Sequence, residues 1–177
     1  MARFYFVRHG ETEYNLRGLR CGGDQDIALT AHGEAQAMGI VPRLAGLGIG
    51  VIIASPLLRT QRTAALIAAG LGGVPIRTDA LFCERLLGEW NGLPVAQTEH
   101  LLKARQTPPG GESEDAFRDR VALALAGLRS HLDACPLVVS SKGVARMLNL
   151  LLEDGVRPPA GNAEVIAFEL PPEGVRR

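Results

Sequence analysis

The sequence predicts an α/β fold with three layers, a mostly parallel central sheet covered by helices on both faces, and three observations lead there. Short apolar runs at Arg3–Val7, Val51–Ala54 and Leu137–Val139 alternate with stretches whose apolar residues recur at helical spacing. Parallel neighbours need crossover connections, and the intervening helices supply them. Each run gives way at once to a polar cluster, as expected where strand ends feed helix N-termini. At 177 residues, with 46% hydrophobic and 21% charged residues, the chain has the length and the apolar content of one domain over residues 1–177. It shows no internal repeat and no linker.

Taken in order, Arg3–Val7 reads as a buried strand that stops at Arg8-His9-Gly10. Thr30 is placed to N-cap a helix carrying Ala31, Ala35, Met38 and Leu44-Ala45, with Gly39 and Pro42 counting against its continuity. Val51–Ala54 is a second buried strand. Ser55-Pro56 then opens a helix with proline in the first turn, where its missing N–H costs little; Ala64, Ile67 and Leu71 follow, and Gly70, Gly72 and Gly73 end it. A short strand around Pro75–Arg77 leads into a long loop holding Glu84, Trp90 and Asn91, and then a helix near Val95–Arg105. Pro108-Pro-Gly-Gly111 breaks the chain. Ser113 caps the next helix, whose first turn holds Glu114 and Asp115, where the helix dipole favours anions, and whose core face is Phe117, Val121, Ala124, Leu128 and Leu132. The strand Leu137–Val139 delivers Ser140-Ser141-Lys142-Gly143 to a helix with Val144, Leu148 and Leu151, and Ala163–Leu170 is the final strand.

Composition narrows the function. Nineteen basic residues cancel nineteen acidic ones, so no basic excess drives sequence-independent binding to a phosphate backbone, and nucleic acid is not expected as a partner. The longest uncharged stretch, Leu44–Leu58, is interrupted by glycine and falls short of the roughly 20 apolar residues a membrane span needs, and the start lacks a secretory apolar core. The expectation is a soluble, cytoplasmic protein without a membrane partner. Cys21, Cys83 and Cys135 are odd in number and lack metal-ligand spacing, so they read as free thiols, with no metal site and no cofactor indicated.

Three polar clusters fall at the carboxyl ends of the buried strands: Arg8-His9, Ser55 to Arg59, and Ser140 to Gly143. Two guanidiniums, an imidazole, an ammonium, hydroxyls and a helix N-terminus make a cradle suited to a small dianion such as a phosphoryl group.

Val7-Arg-His-Gly-Glu-Thr-Glu-Tyr-Asn15 resembles the Arg-His-Gly-Glu signature of the histidine phosphatase superfamily, which includes the cofactor-dependent phosphoglycerate mutases. Further segments are similar in the same order: Gly23 to Thr30 with Gly33 and Gln36-Ala37, Ser55 to Ala64, Leu81 to Gly92, and Pro109 to Ser113. The resemblance implies a phosphoglycerate mutase-like fold and covalent catalysis, with His9 attacking phosphorus to form a phosphohistidine that water, or an acceptor hydroxyl in a mutase, relieves. A hydrogen bond from the other ring nitrogen to a backbone carbonyl would fix the reactive tautomer. By the same resemblance Arg8 and Arg59 hold the equatorial oxygens, Asn15 adds a neutral donor, and Glu84 protonates the leaving oxygen and then activates water.

One position departs from the pattern. The family reads Ser-His-Gly-Gly after the late strand, whereas this chain reads Ser140-Ser141-Lys142-Gly143; aligned on the following Gly-Val-x-Arg, Ser141 takes the place of the second histidine. Losing one preorganised donor to a developing oxyanion costs about 10²- to 10³-fold in rate. The Ser141 hydroxyl can itself bond an oxygen, and Lys142, turned inward, would restore a positive charge. The reading is a metal-independent phosphomonoesterase acting on a small phosphorylated metabolite, with phosphoprotein targets left open. The short segment between Glu84 and Pro108 leaves little cap to exclude water, resembling compact α-ribazole phosphatases more than the longer mutases. The alternatives are a pseudophosphatase that binds a phosphorylated ligand with negligible turnover, and a mutase-type phosphotransferase. His32, His100 and His131 lack motif partners, Glu89 is a second carboxylate near Glu84, and Trp90 reads as packing. Arg20, Arg62 and Arg85 read as surface or rim charges. Neither substrate identity nor oligomeric state is legible in the residues.

Overall fold

The computed structural model describes residues 2–152 and 159–171. Five strands, β1 (Ala2–Arg8), β2 (Val51–Ala54), β3 (Ile76–Thr78), β4 (Pro136–Ser140) and β5 (Val165–Leu170), form one sheet in the order β3-β2-β4-β1-β5. The pairings β1–β4, β2–β4 and β2–β3 are parallel, and β5 runs antiparallel to β1 at the edge. Between the strands lie α1 (Glu13–Leu16), α2 (Ala31–Gly39), α3 (Val41–Leu44), α4 (Leu58–Gly70), α5 (Val95–Lys103), α6 (Glu114–Leu128) and α7 (Lys142–Leu151).

Strand periodicity sorts the core into two halves, since successive side chains point to opposite faces. Phe4, Phe6, Ile53 and Val138 pack with Phe117, Val121 and Leu125 of α6 and Val144 and Leu148 of α7. Val7, Ile52, Ala54, Leu137 and Val139 pack with Leu44 of α3 and Ala64 and Ile67 of α4. β2 and β4 are buried at every residue, which explains their uninterrupted apolar sequences. β5 is an edge strand, and its Ile166, Phe168 and Leu170 face the core while Ala167 and Glu169 face out. Phe168 stacks on Phe4 with ring centroids 5.3 Å apart and meets Phe6 edge-on at 6.2 Å.

Several boundaries differ from the sequence reading for identifiable reasons. The single helix expected after Thr30 is two, because Pro42 has no N–H to continue the ladder and starts α3 within its first turn. Pro56 lies before α4 rather than inside it. A residue preceding proline avoids the helical region, and the carbonyl of Ser55 is engaged by Thr60 Oγ1 at 2.8 Å and Gln61 Nε2 at 2.7 Å. The orphan N–H of Leu58 at the new helix start bonds Asp26 Oδ1 at 2.8 Å. β3 sits one residue later than expected, α6 stops at Leu128, and Leu132 reaches the core from a following 3-10 turn. Ala163 lies before β5 with φ of 53°.

The register brings the strand ends level. Arg8 is paired with Ser140 and Ala54 with Val139, the N–H of His9 bonds the Ser140 carbonyl at 2.9 Å, and that of Ser55 bonds the Val139 carbonyl at 3.4 Å. The three polar clusters therefore share one edge of the sheet.

Candidate active site

His9 is the first residue beyond β1 and is buried, 5% exposed. Its Nδ1 lies 2.8 Å from the carbonyl oxygen of Gly10. A carbonyl only accepts, so Nδ1 carries the proton and Nε2 keeps its lone pair. Burial, followed by the positive charges of Arg59 and then Arg8, pushes the His9 pKa well below its ordinary 6.5, against a smaller pull from the Gly10 carbonyl. The ring is neutral at pH 7 while two guanidiniums stand close enough to act on it.

The backbone that carries His9 is clamped against the helices. A Cβ on Gly10 would meet the Gly33 carbonyl oxygen at 2.2 Å, so glycine lets this loop lie directly on the first turn of α2. The Gly10 N–H bonds Thr63 Oγ1 of α4 at 3.1 Å, and Thr30 both caps α2 through the Gly33 N–H at 3.0 Å and donates to Glu11 Oε1 at 2.9 Å. Thr12 and Asn15 cap α1 reciprocally, with Asn15 Oδ1 accepting from the Thr12 N–H at 3.1 Å. This short helix and its cap were missed in the sequence because asparagine stands where a capping box has Glu or Gln. Asn162, also missed, has Nδ2 3.0 Å from the His9 carbonyl and 3.1 Å from Asn15 Oδ1, tying the two together. It lies in the segment before β5 and carries no local motif.

The two arginines differ. Arg8 Nη1 bonds the Ala160 carbonyl at 2.8 Å, and burial sets its pKa below the ordinary value, partly offset by Glu84. Arg59 is 1% exposed, and its Nη1 and Nη2 hold the carbonyls of Gln25 at 2.8 Å and Gly22 at 3.0 Å. In both side chains Nε is buried without a hydrogen-bond partner, and the same is true of Ser141 Oγ, whose residue is 2% exposed. Buried donors without partners are rare, and two of these three belong to the arginines whose charges act on His9.

Ser141 occupies the N-cap position of α7 but makes no capping bond. Glu84 caps that helix instead. Its Oε2 accepts from the Gly143 N–H at 2.9 Å and its Oε1 from the Arg85 N–H at 2.7 Å. A Cβ on Gly143 would come within 2.0 Å of Glu84 Oε1, so the carboxylate approaches only because this residue has no side chain.

Arg8, His9, Asn15, Glu84, exposed Lys142 and Gly143 contribute to the wall of a cleft of about 660 Å³. Arg59 and Ser141 are buried and do not line it. Arg20 lines the cleft, ion-paired to Glu99 at 2.6 Å, and Arg62 is a surface residue paired with Glu34 at 2.6 Å. Arg85 is not the rim charge expected. It is 4% exposed, with its Nη1 2.9 Å from Glu114 and its Nε donating to the Glu112 carbonyl at 2.8 Å, because the loop after Glu84 is drawn onto the acidic first turn of α6. Trp90 is buried packing, and His32, His100 and His131 lie on α2, on α5 and in the 3-10 turn after α6. The three cysteines are free thiols of intermediate exposure. Among the described residues no cluster of three or more His, Cys, Asp or Glu is placed to hold a metal ion, and no helix is long and apolar enough to cross a membrane.

The chain is similar in sequence and fold to several known proteins. The family model described as histidine phosphatase superfamily, branch 1, matches residues 4–175. The probable phosphoglycerate mutase GpmB of Salmonella paratyphi B is 38% identical over 155 residues, which cover 79% of this chain and 69% of that protein. A mycobacterial glucosyl-3-phosphoglycerate phosphatase, solved in complex with VO3, superposes with a TM-score of 0.80 at 27% identity, covering 96% of this chain and 91% of its own. A putative alpha-ribazole-5'-P phosphatase from Escherichia coli gives 0.72 at 28% identity, covering 85% and 79% respectively.

Proposed function

This chain belongs to the histidine phosphatase superfamily, branch 1, whose members similar to it are named as phosphatases and a phosphoglycerate mutase, and on that premise we propose that it is a phosphomonoester hydrolase acting on a small phosphorylated metabolite. The observation that carries the reading is the His9 ring, held neutral with Nδ1–H on the Gly10 carbonyl and Nε2 unprotonated, beside two arginines whose Nε atoms lack partners.

In the first step His9 Nε2 forms a bond to phosphorus as the bond from phosphorus to the leaving oxygen breaks, and Glu84 gives that oxygen its proton. In the second, water attacks phosphorus, Glu84 takes a proton from it, and the Nε2–P bond breaks to release phosphate. Arg8 Nε is the donor at the cleft wall that a phosphoryl oxygen would satisfy, Arg59 Nε and Ser141 Oγ, buried off that wall, would join it by turning toward the cleft, and Asn15 offers its amide nitrogen, since its Oδ1 already accepts from Thr12 and Asn162. Both steps proceed on side chains alone, without a metal. Hydrolysis is preferred to transfer between substrates because the segment from Glu84 to Pro108 supplies only α5 and turns with which to exclude water.

The unpartnered Ser141 hydroxyl favours keeping a second reading, a phosphate-binding module with negligible turnover. Hydrolysis of 4-nitrophenyl phosphate in the presence of chelator separates them. The hydrolase reading expects saturable turnover that falls at least about 10³-fold in His9→Ala, given the scale of losing a covalent nucleophile. Phosphate binding without turnover would leave the binding module, and turnover that survives His9→Ala would remove the mechanism.

A further inference from the structure

Glu84 reaches the first turn of α7 from a loop with little regular structure, between a 3-10 turn at Ala80–Phe82 and another at Gly88–Trp90. Its backbone is nevertheless heavily tied: the Phe82 carbonyl accepts from Ser140 Oγ, that of Arg85 from the Gly23 N–H at 3.0 Å and that of Leu86 from the Glu112 N–H at 2.9 Å, and three further carbonyls are held by one side chain on the opposite element. Arg120, on α6, donates from Nη1 to the carbonyls of Leu81 at 2.8 Å and Cys83 at 2.9 Å, and from Nη2 to the carbonyl of Glu84 at 3.3 Å. The same guanidinium is locked from behind. Its Nε and Nη2 form a two-pronged pair with Glu112 at 2.9 and 2.7 Å, and its Cζ lies 5.1 Å from the centroid of the Phe117 ring. Glu112 Oε2 also accepts from the Leu86 N–H at 3.3 Å. Four backbone groups of the Leu81–Leu86 segment thus hang on one arginine–glutamate fork that is largely buried, with side-chain exposures of 19% and 10%. Neither residue lines the cleft.

We propose that Arg120 is a positioning residue for Glu84: it fixes the backbone from which the carboxylate reaches the leaving oxygen, so proton delivery depends on a side chain that touches no substrate. The inference rests on the reading of Glu84 as the proton donor. Only a planar fork can serve the Glu112 carboxylate on one edge and three carbonyls on the other, which lysine cannot do with a single ammonium. A displacement of about 1 Å at a catalytic group costs on the order of 10²-fold in rate, whereas general loosening of the fold does not discriminate between substrates.

Leaving-group chemistry provides the test. An aryl phosphate such as 4-nitrophenyl phosphate expels an anion that needs no proton, while an alkyl phosphate such as glycerol 3-phosphate needs one. Arg120→Lys and Glu84→Gln are compared on both substrates, with vanadate affinity as a measure of the phosphate seat. The expected result, read in kcat/KM, which reports the steps through release of the leaving group and not the hydrolysis of the phosphohistidine common to both esters, is a loss of about 10- to 100-fold on the alkyl ester for Arg120→Lys, less than about 3-fold on the aryl ester, vanadate affinity nearly unchanged, and the same pattern, deeper, for Glu84→Gln. If Glu84→Gln shows the pattern and Arg120→Lys loses equally on both esters, or on neither, the positioning role is overturned. A Glu84→Gln variant whose loss does not depend on the leaving group removes the proton-donor reading itself. Should Arg120→Lys not fold, Glu112→Gln, which frees the fork from its other side, decides by the same ratio: a milder leaving-group-dependent loss supports the role, and equal losses or none overturn it.

Discussion

His9 meets two demands that pull against each other. A phosphate seat needs positive charge, and a nucleophile needs a free lone pair. Here the charge is on Arg8 and Arg59 while burial and those same charges keep the imidazole neutral. The arrangement has a measurable consequence in stability. The folded pKa of His9 lies below its unfolded value of about 6.5, so the unfolded chain takes up the proton first. The contribution of His9 is whole above that pH and is lost as pH falls below it toward the folded value. Denaturant unfolding from pH 7 to 5 should therefore show a steeper decline for the parent than for His9→Gln; parallel declines would mean the ring is not held neutral. Ser141 gives a second prediction. Its hydroxyl is buried without a partner, and an unsatisfied buried polar group costs about 1–3 kcal/mol. Ser141→Ala should hold or raise the melting temperature of the free protein while weakening phosphate and vanadate binding. A loss of stability with unchanged binding would place the hydroxyl outside the seat.

Glycines show the same division between function and packing at the level of elements. At Gly143 a new Cβ meets only the end of the Glu84 side chain, whereas at Gly10 it meets the backbone of α2. Gly143→Ala should leave stability within about 1 kcal/mol, since alanine suits a helix better than glycine, yet cut turnover as Glu84→Gln does. Gly10→Ala should cost about 1–3 kcal/mol through strain, read as a fall in the denaturation midpoint. Equal effects in the two variants would contradict the contacts. The buried strands were legible because β2 and β4 are covered on both faces and so read as unbroken apolar runs. Helix starts with a Thr or Ser cap, such as α2 and α6, were legible too, from Thr30 and Ser113. What escaped were ends decided by partners distant in sequence: the start of α4, where Asp26 serves as a cap from 32 residues away, and the N-terminus of α7, capped by Glu84 rather than by the serine at its N-cap. Local propensity carries no trace of either.

For the molecule as a whole, a formal charge of zero conceals a local excess. The cleft is lined by Arg8, Arg20, Arg85, Lys103, Lys142 and Arg146 against Glu84, Glu99 and Glu114. A cradle at the strand ends was expected, yet Arg59 and Ser141 do not line this cleft, whereas Asn162 and Arg146, which do, come from segments that the topology alone brings together. The three buried donors that lack partners among the described residues should make the protein more stable when a ligand satisfies them. At about 100 times its dissociation constant, phosphate should add roughly 2.7 kcal/mol, seen as a rise in melting temperature that chloride at equal ionic strength does not reproduce. No phosphate-specific rise at millimolar concentration would speak against an anion seat. The most direct test of the whole account is to capture the phosphoenzyme, by mixing the protein with radiolabelled substrate, quenching with alkali during turnover and mapping the label by mass spectrometry. The account predicts a base-stable, acid-labile phosphate on His9 that forms and decays fast enough to carry turnover. Turnover with no phosphate on His9, or with the label on another residue, would contradict it.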